Sequence, residues 1–150
     1  MSRRAVCFVL FVCVTTAGCD ESLQPIAGPS PNLTPTFSSI QREIFESSDE
    51  AGRAACVTCH RPGGIGFFAV GLDLTSTSTS YAALVGVPSR QRPSLARVAP
   101  GNPDDSYLIH KLERRAGIVG LQMPLNGPPY LTTGQIRIIQ RWIETGAENN

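Results

Sequence analysis

What this 150-residue chain lacks narrows the field first. It has no surplus of either charge: 13 Lys and Arg face 12 Asp and Glu, a net of +1, and no basic run gathers the cations. Nucleic-acid binding draws on clustered positive charge and is not expected here. No apolar run is long enough to remain in a bilayer as a permanent helix. No stretch alternates apolar and polar residues as a half-buried strand does. "GFFAVGLDL", residues 66–74, comes nearest, and its glycines favour a loop. No triad, acid pair or phosphate loop stands out, so an enzyme is not expected. The 14 Gly and 12 Pro exceed average use, yet they are too scattered for a fibrous or disordered chain. One loop-rich compact domain fits the length.

What is present begins with an N-terminal pattern. "MSRR" is a basic start, "AVCFVLFVCV" a short apolar run, and "TTAG" a small-residue stretch before Cys19. Residues 1–18 therefore read as an export signal. The ending "TAGC" resembles a bacterial lipobox, with Thr16 where that pattern prefers Leu. The resemblance implies Cys19 as the lipidated first residue of the mature chain, tethered on the periplasmic side of a membrane. Ordinary cleavage near Ala17 is the alternative. Loss of this segment removes Cys7, Cys13, Arg3 and Arg4, and moves the balance from +1 to −1. Only Cys56 and Cys59 then remain for the folded part, too few for a disulfide framework.

Residues 19–36 read as a linker. They carry Pro25, Pro29, Pro31 and Pro35 without amphipathic period. At about 3.1 Å per residue in extended polyproline form, they reach roughly 50 Å. The domain follows over 37–147 and is expected to be all-α. Ser38 with Gln41 fits a capping box, ahead of a face made by Phe37, Ile40 and Ile44. A second helix is expected from Ser106 to Ala116, with Leu108, Ile109, Leu112 and Ala116 as its stripe and Gly117 beyond its end. The third has Thr132 and Gln135 as a capping box, with Ile136, Ile139, Trp142 and Ile143 inward. A shorter helix is expected over Ser80 to Gly86. These stripes make a thin core joined by long Gly/Pro-bearing connections, which are unusual in a small helical domain. A large apolar cofactor would resolve both oddities.

The chemistry concentrates in "CVTCH", Cys56 to His60. Two thiols and an imidazole within one helical turn suit thioether attachment of a haem, with His60 as the iron ligand. A redox-active dithiol and a zinc site are the alternatives. The first expects a βαβ setting that is not visible. The second needs four ligands, and adjacent Cys59 and His60 share a tetrahedral centre poorly even if His110 joins.

Together with "GLDLTS", "SYAALVG", "VAPGNPDDSYLIHKL", "MPL" and "LTTGQIRIIQRWIETGA", this motif resembles the class I single-haem bacterial cytochromes c, in particular the domains found in planctomycete-type lipoproteins. The resemblance spans Phe37 to Ala147. It implies a class I cytochrome c-like helical fold around one covalent haem c, with Ile40, Ile44 and Trp142 in the contact between terminal helices. It also implies a carrier of single electrons between redox proteins of the cell envelope. The chain departs from the family at "ESSDEAGRAA", where only a few residues usually precede the first Cys, and in having no proline between Pro62 and Pro88 to mark the carbonyl that orients His60.

A second axial ligand has few candidates. Met123 is the only methionine after Met1, and it sits before Pro124 in a Gly/Pro-framed loop, where the family carries its axial Met. Such a thioether raises the potential relative to a second imidazole. His110 is the other histidine, and it points about 160° away from Leu108 and Leu112 on its helix. Gly63, Gly64 and Gly66 would allow close backbone approach to a flat group. Arg90, Arg92 and Arg97 read as solvated surface charge, or as groups that pair with haem propionates or dock a partner. If Met123 does not bind, a gas-binding, sensing or peroxidase-like haem domain follows. Without haem, a lipid-anchored thiol or zinc domain remains.

Overall fold

Thr36 opens the first helix of the computed structural model, which describes residues 32–150. The export signal, Cys19 and the linker as far as residue 31 lie outside the described residues. Helix α1 is Phe37–Ile40, and the chain continues without a break into a wider π-turn at Gln41–Phe45. Its cap is Thr36, whose Oγ1 accepts from the Ser39 N–H. The expected box of Ser38 and Gln41 does not form. The Ser38 N–H donates to the Asn150 carbonyl at 2.8 Å, and Gln41 turns inward to donate to the Leu74 carbonyl at 3.0 Å. Packing starts ahead of Phe37, because Leu33 is buried and the Thr34 N–H is held by Ser39.

A 3-10 turn at Cys56–Thr58 leads to helix α2, Ile65–Val70, where the sequence favoured a loop. Gly71 ends it at φ +62°, a conformation that glycine adopts without steric cost. Helix α3 is Thr77–Leu84 and starts earlier than expected, because Ser76 and Thr79 form a capping box. A 3-10 turn at Pro103–Asp105 precedes helix α4, Tyr107–Glu113. That helix stops short of Ala116: Arg114 takes the left-handed turn at φ +56°, and Ala116 is exposed beyond it. Helix α5, Thr133–Glu144, has the expected box of Thr132 and Gln135. There are no strands among the described residues, only three isolated bridges, so the domain is all-α. Among the described residues no helix is long and apolar enough to cross a membrane.

The core forms where α1 meets α5. The rings of Phe37 and Trp142 stack at 5.0 Å, with Phe45 and Tyr81 edge-on to Phe37. Ile40, Ile44, Ile139 and Ile143 close around them. Trp142 donates its indole N–H to the Glu148 carbonyl, and Asn150 Oδ1 accepts from the Phe37 N–H. Residues 148–150 are thus part of the packed unit. This side of the molecule is finished. The other side, between the Cys56–His60 turn, α2, α4 and the loop before α5, surrounds a cavity.

Candidate functional site

The local fold of "CVTCH" follows from three backbone bonds. The Cys56 carbonyl accepts from the Cys59 N–H at 3.3 Å and from the His60 N–H at 3.0 Å, and Thr58 donates to Ala55 at 3.1 Å. One tight turn thus carries both sulfurs and the imidazole. α2 locks it from outside. The Gly66 and Phe67 N–H groups donate to the Cys59 carbonyl, and the Leu74 N–H donates to the His60 carbonyl at 2.9 Å. Gly66 is required here. A Cβ at that position would lie 2.7 Å from both Cε1 and Nδ1 of His60, closer than real side chains approach. The α2 backbone therefore rests directly against the imidazole. Gly63, by contrast, serves its turn at φ +81° with nothing near it.

Ahead of the turn, the "ESSDEAGRAA" segment is a compact loop built on Arg53. This guanidinium is buried, paired with Asp49 at 3.1 Å, and donates to the carbonyls of Ile44, Ser47 and Ala54. Cys56 Sγ donates to the same Ile44 oxygen at 3.6 Å. Burial pushes the Cys56 thiol up to about 11, against a smaller downward pull from Arg53. A reactive dithiol has the opposite character, with a sulfur held as thiolate near neutral pH. The two sulfurs are free and do not form a disulfide.

A cavity of about 530 Å³ opens on this turn. Its size falls within the roughly 300–1,000 Å³ of small-molecule and cofactor sites. Cys56, Cys59, His60 and Met123 all line it. The rest of its wall is mostly aliphatic, from Leu72, Leu74, Leu108 and Leu131 among others, with Arg97, Tyr107 and Lys111 as the main polar groups. The His60 imidazole is held below its ordinary pKa, first by burial and then by the charges of Arg97 and Lys111. It is therefore neutral and keeps a lone pair to offer a metal. Its Nδ1 is buried with no hydrogen-bond partner among the described residues, so no carbonyl orients the ring; Gly66 does so by contact.

Met123 is half-buried against the core, and its N–H donates to the Lys111 carbonyl at 2.9 Å. His110 is not at the cavity. Its Nε2 is bonded to the Asp104 carbonyl at 2.6 Å. Arg97 is not the solvated surface charge that the sequence favoured. It is 8% exposed and donates to the carbonyls of Ala83, Val70 and Gly71, so it knits α2 to α3 at the cavity wall. Arg90 remains exposed, and Arg92 donates to the Gly117 carbonyl at 2.7 Å. Sequence reasoning also missed Tyr107 and Lys111. Their i, i+4 spacing on α4 puts both on one face and was the available signal.

In chemical terms, the cavity offers one neutral imidazole, one thioether and two free cysteine sulfurs inside an apolar wall. Among the described residues no three His, Cys, Asp or Glu gather as a metal-binding group, which falls short of the four ligands of a structural zinc site. A flat, largely apolar group that carries its own metal suits the donor set. No family model, curated protein or solved structure matches the chain.

Proposed function

We propose that this chain is a monohaem c-type cytochrome with a class I fold, which carries single electrons between redox proteins in the cell envelope. One observation supports the reading above others. Met123, 63 residues beyond His60, lines the same cavity as the Cys56, Cys59 and His60 of the motif. Cys56 and Cys59 would hold one haem c through thioether bonds, and His60 and Met123 would ligate its iron. A haem in this place supplies a one-electron ferric–ferrous couple, and that chemistry is the group's own.

The chain contributes position and surroundings. Ile44 retains Arg53 as a donor when Cys56 Sγ no longer carries a proton. Gly66 lets α2 press on the imidazole and fix its plane. The aliphatic wall excludes water, which strengthens every charge effect inside. Arg97 and Lys111 place positive charge beside His60 and so favour the state with one positive charge fewer. With His60 and Met123 both given to the iron, no place would be left there for a substrate, which favours a carrier over an enzyme. Export by residues 1–18 and a lipid anchor at Cys19 put the domain on the periplasmic side of the membrane.

The test is an absorbance spectrum of the exported full chain, oxidised and reduced. The expected result is a low-spin ferrous spectrum with the weak long-wavelength ferric iron–sulfur band. A high-spin spectrum that shifts with carbon monoxide would replace the carrier by a gas-binding, sensing or peroxidase-like domain. No Soret band from cells competent in haem attachment would end the haem reading and return the chain to a thiol or zinc domain.

A further inference from the structure

Met123 lies in the long connection between α4 and α5, and the stretch 117–123 of that connection is held mainly from outside itself. The Gly117 carbonyl is held by Arg92. The Val119 N–H donates to Tyr107 Oη at 2.9 Å. Gln122 reaches back to the Leu112 carbonyl at 2.7 Å. The remaining bonds converge on one residue. Lys111 Nζ donates to the carbonyls of Val119 at 2.9 Å and Leu121 at 2.6 Å, and the Lys111 carbonyl accepts from the Met123 N–H at 2.9 Å.

Lysine is a costly choice for this place. It is 7% exposed, and no carboxylate pairs with it among the described residues. Burial of an ammonium is unfavourable unless its donors are used. A leucine or methionine would fill the same wall without that penalty. What an ammonium adds is the ability to seize two carbonyls at once. Those two carbonyls belong to the residues just before Met123, and the third bond, through the backbone, belongs to Met123 itself. The same side chain lines the cavity that His60 and Met123 share.

We infer that Lys111 is the positioning residue that holds the Met123 thioether to the cavity and thereby makes Met123 the sixth ligand of the haem. The inference rests on the haem reading above. Lys111 acts through the loop, by removing the freedom that would let 119–123 swing away and surrender the iron to another ligand. A thioether is a weak ligand, so its hold depends on how often the loop leaves. An exogenous ligand competes for the iron whenever it does.

The experiment uses the haem-loaded full chain in the ferric state, with imidazole as the probe. Lys111→Met keeps length and bulk and deletes both carbonyl bonds. Lys111→Arg keeps the charge and the donors. In K111M the iron–sulfur band should weaken, and imidazole should bind roughly tenfold tighter or more, the effect of losing bonds from a charged donor. K111R should stay within about threefold of the unmodified chain. If K111M keeps the band and its imidazole affinity, the inference is wrong. A role confined to stability would lower the unfolding midpoint of K111M and leave imidazole affinity unmoved, which overturns it equally. An unmodified chain with no haem, or with no iron–sulfur band, defeats the proposed function and is told apart at once from a failure of Lys111. Should K111M not fold, Lys111→Gln, which shortens the side chain and removes the ammonium, is read in the same way: a weaker iron–sulfur band with tighter imidazole binding supports the inference, and an unchanged band and affinity overturn it.

Discussion

Arg53 and Cys56 donate to the same acceptor, the carbonyl of Ile44, at 3.3 and 3.6 Å. Cys56, the first cysteine of the motif, is thus placed by a loop whose centre is a buried guanidinium, and that loop is the part of the chain that departs from the family resemblance. Arg53→Met should destabilise the full chain by about 3–5 kcal/mol, because it strands Asp49 and several carbonyls with a buried partner removed. Urea unfolding followed by circular dichroism gives the number. A loss under about 1 kcal/mol would mean that the loop is not held by this ion pair.

Gly66 touches the ring of His60. Gly66→Ala should cost about 1–3 kcal/mol of stability, the usual penalty for a methyl forced into a packed site. It should also tilt the imidazole, with a shift in the ferric spectrum as the readout. An unchanged spectrum would show that the ring has room to spare.

Arg97 and Lys111 are the two cations felt by His60. Removing one favours the more positive ferric state, so Arg97→Gln should lower the reduction potential on the order of tens of millivolts. Arg97→Lys keeps the charge and should lower it less. Redox titration of both variants checks the sign as well as the size.

Trp142 stacks on Phe37 at 5.0 Å and is fully buried. Trp142→Ala should cost about 3–5 kcal/mol. Thermal unfolding reads this effect. Substitution of exposed Phe68 to Ala should stay within about 0.5 kcal/mol.

The parts of this molecule that sequence made legible are those decided locally. The α5 helix carries its own start in Thr132 and Gln135, and both act as written. The four candidate site residues stand out because thiols, imidazoles and thioethers are rare in this chain and their chemistry is specific. What was not legible depends on distant contacts. Ser38 looks like a cap until Asn150, from the far end of the chain, takes its N–H. α2 hides because Phe68 faces outward and Ile65 stands exposed at the cavity, so no buried stripe marks it, while Gly66 is kept for contact with His60. Arg97 was hidden for a related reason, and Lys111 showed only through its spacing from Tyr107. A charge in a sequence reads as solvent-facing, and only the carbonyls that receive its protons show otherwise.

The loop before Met123 is gripped almost wholly by its backbone, through the oxygens of Gly117, Val119 and Leu121 and the nitrogens of Val119 and Met123. The side chains of Val119 and Leu121 take no part in that grip and stand 50% and 64% exposed. Shape and surface are therefore written in different atoms of the same residues. Selection, or an engineer, can rewrite the outward face of this loop while Met123 behind it stays where it is.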